Sequence, residues 1–502
     1  MDATVVNNLL QSALSYPDKV AIIHGDKSTD YKSLWKMICQ CSDFLSEHGL
    51  KQADRVALQH ENSIEYIVTY YATLKAGGVI VALNIDAKQS DISNILQHSD
   101  AKYFFASHKK CDLGALKDIH DIEIVDFDGE GNTGQDLYDW TDVISHQDSS
   151  NDKSVELDAN SVAAIIYTSG TTGNPKGVTL SHLSLQKNIE SIIEYLTLTE
   201  NDVVLNVLPF FYSYGNSVLH THLSVGATIC LENSLMYPVK VIESMVRNQA
   251  TGFSGVPSTF ALLLSRTKLE EYDLSCLRYV TQAGGAMPPS NISEFLSKIP
   301  GVKFFVMYGQ TEATARITYL PPESLSEKIG SVGIPIPGVE VEIRNDKGEK
   351  AAVDAVGELY VSGQNIMQGY WKNPEATAEV LNDGWLKTGD IGYKDPDGYI
   401  FLSGRKADMI KVGGHRISPL EIEEVISQVE NVEEVAATGI TDDMLGQVVK
   451  AVVVLKDKHD KAIREIKAHC SKQLASYKIP KQIEIVEALP KTSSGKVKRF
   501  LL

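Results

Sequence analysis

Residues Tyr167-Thr168-Ser169-Gly170-Thr171-Thr172-Gly173-Asn174-Pro175-Lys176-Gly177 follow the apolar run Ala163 to Tyr167, which has the texture of a buried strand. Thr168, Ser169, Thr171 and Thr172 carry hydroxyls, and Gly170, Gly173 and Gly177 open the backbone. Such a loop can wrap phosphate oxygens with N–H and O–H groups, and Lys176 adds a mobile cation. It is not a Walker A loop, in which Gly precedes Lys, Ser or Thr follows it, and a helix begins. Here Pro175 precedes Lys176 and Gly177 follows it. Pro175 removes one backbone donor and keeps Asn174 extended. The competing reading is a Gly/Ser/Thr linker, which has little need of a lysine in this frame.

On the N-terminal side, residues 1 to about 150 alternate between strand and helix patterns. Val20 to His24, Arg55 to Leu58 and Val79 to Leu83 read as strands; Tyr31 to Glu47 and Ile64 to Lys75 read as helices. The alternation predicts a mainly parallel sheet covered by helices. Gln147 to Asp158 is polar and reads as a surface connection. On the C-terminal side, Val203 to Leu208, Ala227 to Leu231, Tyr279 to Ala283 and Lys303 to Met307 read as further strands. From about Val332 the texture turns to short strands with Gly/Pro turns, a smaller β-rich unit. Beyond Gly404 another α/β pattern follows, with helices at Pro419 to Val429 and Asp460 to Leu474 and a strand at Ala451 to Leu455.

Three further motifs carry chemistry. Tyr308-Gly309-Gln310-Thr311-Glu312 closes an apolar run; its ring can lie against a purine, and Thr311 and Glu312 offer hard oxygens to Mg²⁺. Gly384-Trp385-Leu386-Lys387-Thr388-Gly389-Asp390 is followed by Gly404-Arg405; a carboxylate can take two ribose hydroxyls and an arginine can meet ribose or phosphate. Pro490-Lys491-Thr492-Ser493-Ser494-Gly495-Lys496 places a lysine on a Gly/Ser turn near the C-terminus. Taken singly, the last of these would read as a solvated turn.

Bulk properties exclude several classes. The 502 residues exceed one compact core and predict two or three domains. A balance of 47 basic and 65 acidic residues, −18, disfavours nucleic acid and anionic membranes as partners. The surplus is uneven: from Arg405 onward 17 basic side chains face 14 acidic ones, a mildly basic tail on an acidic body. Six cysteines occur without a C-x-x-C pair, so neither a zinc site nor a disulfide framework is indicated. No basic leader with an apolar core opens the chain, and no window supplies the ~18 apolar residues of a membrane span. A cytoplasmic setting is expected.

The order of the four motifs resembles that of the adenylate-forming superfamily, which comprises acyl-CoA synthetases, peptide-synthetase adenylation domains and firefly luciferase. The resemblance spans essentially the whole chain. It implies an α/β fold with a large N-terminal domain of helix-covered sheets and a small β-rich unit, residues 1–403, then a small mobile α/β domain, residues 404–502. It implies ATP and Mg²⁺ as cofactors and attack of a carboxylate on the α-phosphorus, giving an acyl-adenylate. Transfer to the thiol of CoA, or to the phosphopantetheine of a separate acyl carrier protein, follows. The partner in the first step is a small-molecule carboxylic acid. Residue by residue, Thr168, Ser169, Gly170, Thr171, Thr172 and Lys176 match the phosphate loop. Gly284, Gly285 and Ala286 match the segment beside the adenine, and Tyr308 the ring packed on it. Thr311 and Glu312 match the phosphate and magnesium residues, and Asp390 and Arg405 the ribose contacts. Lys496 matches the lysine bridging carboxylate and α-phosphate, and Gly413, Gly414 and His415 the pantetheine tunnel.

Two positions depart from the family pattern. Ala407 stands at the hinge, where Asp or Lys is usual, with Lys406 and Asp408 beside it. Tyr212 stands where many acyl-CoA and aryl-CoA ligases have His, and Ser213 where amino-acid-activating relatives carry Asp for the α-ammonium. The acid pocket is expected from Tyr212, Ser213, Tyr214, Ser217, Thr281, Ala283, Met307 and Ala315. These are mostly small or weakly polar, which points to an uncharged acyl group. A stand-alone amino-acid-activating enzyme is the alternative within the family; an oxygenase, a nucleotide binder without ligase activity and a P-loop phosphotransferase lie further off.

Overall fold

The protein is described from a computed structural model covering residues 4–119, 121–129, 137–145, 157–168, 176–413, 415–442, 444–457, 459–491 and 497–502. Two large sheets form the body. One has nine strands in the order Ile334–Pro335, Thr318–Leu320, Lys303–Tyr308, Tyr279–Gln282, Gly252–Gly255, Val203–Asn206, Thr228–Leu231, Val20–His24, Lys27–Asp30. The other has eight, in the order Gly369–Tyr370, Lys176–Ser181, Val162–Thr168, Val79–Ala82, Arg55–Leu58, Ala101–Ala106, Glu123–Asp126, Tyr138–Asp139. Central strands such as Val79–Ala82 and Thr228–Leu231 are buried at every position. That is the signature of parallel strands covered on both faces, and it is why they read as unbroken apolar runs.

Between the sheets lie the helices Tyr31–Glu47, Ile64–Lys75 and Ser213–Ser224, whose apolar side chains join those of both sheets in one core. Ser63 caps Ile64–Lys75, its hydroxyl accepting from the Tyr66 amide at 3.1 Å. The texture change after Val332 is a five-stranded antiparallel sheet of Val339–Arg344, Gly357–Gly363, Trp385–Lys394, Leu381–Asn382 and Ile400–Arg405. A fourth sheet, of His415–Ile417, Ile410–Val412, Gly446–Leu455, Val432–Asp442 and Gln482–Ile485, packs with the helices Pro419–Ser427 and Ala462–Gln473 around its own core. The fold is mixed α/β, with a large N-terminal part and a small C-terminal part.

The reading of residues 1–150 as one sheet needs correction. Val20–His24 pairs in parallel with Thr228–Leu231, Ile22 facing Ile229, and so belongs to the nine-stranded sheet. An apolar run announces burial but not its partner, which the chain chooses over long range. The strand expected from Ala451 begins at Gly446, because Gln447 to Lys450 continue the antiparallel ladder on Val432–Asp442. Most of the polar connection Gln147 to Asp158 lies outside the described residues.

Among the described residues, three histidines are buried in the body: His182 at the head of the helix His182–Leu196, and His220 and His222 on Ser213–Ser224. Burial lowers their pKa from 6.5 to about 4, about 3 and about 4 respectively. Their folded-state values lie below the unfolded one, so the unfolded chain takes up the extra protons. Stability is complete above pH ~6.5 and falls as pH drops toward 4, each histidine contributing up to ~1.4 kcal/mol per pH unit. Urea unfolding between pH 7 and pH 5 should show this slope, shallower in His220→Gln. An unchanged slope in the variant would remove His220 from the account.

Candidate active site

Thr168 ends the strand Val162–Thr168, and Lys176 opens Lys176–Ser181, its antiparallel neighbour. The two residues face each other in register. Ser169, Gly170, Thr171 and Thr172 of the expected phosphate loop lie outside the described residues; the ladder holds both ends of that loop together. Gly177 is sterically required, since a Cβ there would sit 2.9 Å from Ile165 Cγ2. On the other side of Lys176–Ser181 runs Gly369–Tyr370. The Lys176 ammonium lies 4.9 Å from the centre of the Tyr370 ring, and the Tyr370 hydroxyl donates to Glu312 Oε1 at 2.9 Å. Cation, phenol and carboxylate thus come together from three distant segments. The role of Tyr370 was not anticipated; its only signal is an aromatic residue in Gly369-Tyr370-Trp371.

The Tyr308 motif leaves the end of Lys303–Tyr308. Tyr308 is buried, and its hydroxyl donates to Asp390 Oδ2 at 2.6 Å. Burial, then the Asp390 charge, push its pKa well above 10.0. Asp390 and Arg405 face each other across the Trp385–Lys394 and Ile400–Arg405 pair, with Arg405 Nε 3.3 Å from Asp390 Oδ1. Asp390 raises the pKa of Arg405 above its ordinary value. Gly309 admits no Cβ, which would lie 1.9 Å from the Ala315 carbonyl oxygen. After it, Thr311 Oγ1 meets Ser213 Oγ at 3.3 Å. Gly284, at φ +90°, Gly285 and Ala286 form an exposed rim after Tyr279–Gln282, held by Gln282 Nε2 donating to the Gly285 carbonyl.

Of the acid-pocket candidates, Tyr212 caps the helix Ser213–Ser224, on which Ser213, Tyr214 and Ser217 sit. Ser213 and Ser217 line a narrow, partly open cleft with Ile166, Leu185, Asn188 and Ile189. The Tyr214 hydroxyl lies 2.8 Å from Thr281 Oγ1. Ala283 and Met307 pack among Ile192, Leu196 and Phe305. Ala315 is buried at φ +95°. Asn188 and Ile189 were not anticipated, because nothing local marks which face of a long helix meets a cleft.

Lys496 and Gly414 lie outside the described residues. Gly413, at φ +55°, starts the turn between Ile410–Val412 and His415–Ile417, and the His415 ring stacks on Tyr477 at 4.2 Å. At the expected hinge, Lys406 Nζ reaches Glu358 Oε2 at 2.9 Å, and Asp408 pairs with Arg499 at 3.7 Å.

Chemically, the site offers cations at Lys176 and Arg405 for phosphate or ribose. Glu312 supplies a carboxylate with one oxygen on Tyr370 and the other without a partner among the described residues, and that second oxygen suits a divalent cation. Among the described residues no helix is long and apolar enough to cross a membrane.

Comparisons with known proteins agree with this geometry. A family model of AMP-binding enzymes matches residues 9–371, and one of the AMP-binding enzyme C-terminal domain matches 421–496. The long-chain-fatty-acid–CoA ligase of Bacillus subtilis (strain 168) is 30% identical over 99% of this chain and 93% of its own length. The oxalate–CoA ligase of Arabidopsis thaliana is 32% identical over 100% of this chain and 98% of its own. Among solved structures, the o-succinylbenzoate CoA synthetase of Bacillus subtilis with its acyl-adenylate intermediate aligns with a TM-score of 0.87 at 28% identity, covering 98% of this chain and 97% of that one. The same enzyme with ATP and a magnesium ion aligns with a TM-score of 0.87 at 28% identity, covering 99% of each chain. The chain belongs to the AMP-binding enzyme family, the adenylate-forming enzymes, and is an AMP-forming acid–thiol ligase.

Proposed function

We propose that this protein uses ATP and Mg²⁺ to convert a small carboxylic acid into its acyl-adenylate and then into its CoA thioester, in the cytoplasm. The observation that carries the reading is the convergence of Lys176, Tyr370 and Glu312 beside the Ser213–Thr311 contact, with Asp390–Arg405 in register nearby. A carboxylate is a poor electrophile. Its oxygen attacks the α-phosphorus, pyrophosphate leaves, and the mixed anhydride presents AMP as a good leaving group to a thiolate. Lys176 and the loop before it hold the phosphates, and Asp390 and Arg405 hold the ribose. Thr311 and Ser213 bracket the reacting carboxyl. Glu312, oriented by Tyr370, would hold Mg²⁺, which neutralises phosphate charge. Catalysis is positioning and charge neutralisation, without a protein nucleophile.

CoA is the proposed acceptor because the relatives named above are CoA ligases. Ser213 carries no charge to pair with an α-ammonium, which disfavours amino-acid activation. The test is acid-dependent exchange of labelled pyrophosphate into ATP, followed by chromatographic detection of an acyl-CoA. A protein that supports exchange with no acid would refute the reading.

The domains are proposed as 1–403 and 404–502, with rotation between the two half-reactions at Ala407. Lys406 is tied to Glu358 of the five-stranded sheet and Asp408 to Arg499 of the C-terminal part, which leaves Ala407 as the residue between two anchors. Proline fixes φ at its own position and restricts the residue before it. Ala407→Pro should therefore keep one half-reaction near its parent rate and lower the other by about tenfold or more. Rates of both half-reactions matching the parent would place the hinge elsewhere.

A further inference from the structure

Arg316 is 2% exposed, yet no carboxylate among the described residues lies within ion-pair distance of it. Its Nε donates to the Met307 sulfur at 3.2 Å, a weak acceptor, the Tyr195 hydroxyl is a further hydrogen-bonding neighbour, and its Nη1 is buried with no acceptor among the described residues. A guanidinium stays charged at any working pH. Its face lies on the Tyr214 ring, 4.2 Å from the centre. Such a contact offsets only part of the cost of taking a cation out of water.

The placement is built, not incidental. Thr314 at φ +53° and Ala315 at φ +95° are successive non-glycine residues in the left-handed region, immediately before Arg316. Backbone in that region persists only where its surroundings hold it. Here Thr314 Oγ1 donates to the Asn365 carbonyl at 2.6 Å, and Asn365 Nδ2 donates to the carbonyls of Ala313 and Arg316 at 3.1 and 2.9 Å. The Arg316 carbonyl also accepts from Asn188 Nδ2 at 3.2 Å. Asn188 lines the cleft with Ser213 and Ser217, and its own Oδ1 is buried without a partner. Tyr214, the ring beneath the guanidinium, follows Ser213, whose hydroxyl marks the reacting end at Thr311.

We propose that Arg316 is the specificity-determining residue of the acyl pocket and receives the second carboxylate of a short dicarboxylic acid whose first carboxylate is adenylated. This rests on the ligase reading above and reverses the expectation of an uncharged acyl group. Eight mostly small or weakly polar positions suggested that expectation; the guanidinium lies against two of them, Tyr214 and Met307. A short acid is specified because the Arg316 guanidinium lies on Tyr214, the residue next to Ser213, whose hydroxyl meets Thr311 at the reacting end.

The test is pyrophosphate exchange with matched acids: succinate against butyrate, glutarate against pentanoate, and benzoate. The parent protein should favour each diacid over its monoacid by about tenfold or more in kcat/KM. Arg316→Met should lower succinate exchange by roughly 10²–10³-fold, with butyrate changed little, and Arg316→Lys should fall between, keeping the charge but losing the fork. Thermal melting of the free variants shows that they are folded, and added succinate should raise the melting temperature of the parent but not of Arg316→Met. Preference for butyrate, pentanoate or benzoate in the parent, or equal loss of diacid and monoacid in folded Arg316→Met, would overturn this proposal while leaving the ligase reading standing. Exchange with no acid of any class would overturn both.

Discussion

Lys496→Ala is expected to slow acid-dependent pyrophosphate exchange by roughly 10²–10³-fold while supplied acyl-adenylate is still converted to thioester. The residue matches the family lysine that places a positive charge where carboxylate and α-phosphate meet. Removing one preorganised charge at a reacting centre costs about 3–4 kcal/mol, and only in the step where that charge develops. The segment carrying Lys496 is tied down at both ends. Lys491 pairs with Glu434 and forms a backbone bridge with Val497, which packs with Ala436, Val452 and Leu489. Replacing the lysine should therefore leave the C-terminal part folded.

The complementary variant is Gly414→Leu. Val412 faces His415, and Gly413 and Gly414 are the two residues between them in sequence. A residue without Cβ lets pantetheine pass close to the backbone. Gly414→Leu should keep exchange and lose thioester formation. The decisive measurement is both half-reactions in both variants. Equal loss of both steps in each folded variant would end the division of labour.

Glu312→Gln should likewise lower adenylation by roughly 10²-fold, most at limiting Mg²⁺. The structure makes this substitution a clean probe of charge. Tyr370 donates to Glu312 Oε1, and a glutamine oxygen can accept the same bond, so the side chain keeps its place and loses only its charge. Tyr370→Phe is the counterpart, which keeps the charge and removes the orienting bond; its effect should be smaller and appear mainly as a raised requirement for Mg²⁺. Were Glu312 merely structural, Glu312→Gln would melt at a lower temperature with unchanged kinetics in the folded fraction. Full-rate adenylation at limiting Mg²⁺ would refute the assignment.

Much of this protein was legible in one dimension, wherever a local pattern has a single physical solution. Runs such as VIVA at 79–82 and TICL at 228–231 read as buried strands and are strands, and the alternation around them calls for parallel sheets under helices. The motif glycines were readable for the same local reason: Gly177 and Gly309 leave no room for a Cβ. Residue types and the resemblance marked Lys176, Tyr308, Thr311, Glu312, Asp390 and Arg405 as candidates; the structure sets Tyr370 between Lys176 and Glu312, and Asp390 opposite Arg405. What the tertiary structure decided was which segments meet. Val20–His24 joined a strand some two hundred positions away, Tyr370 came to orient Glu312, and Arg316 turned inward beneath Asn188 and onto Tyr214. None of these has a local signature, because strand partner, ring neighbour and the direction of a side chain after a left-handed turn depend on packing between parts of the chain that are far apart in sequence. The eight pocket positions alone suggested an uncharged acyl group; the buried Arg316 guanidinium lies against Tyr214 and Met307, two of them.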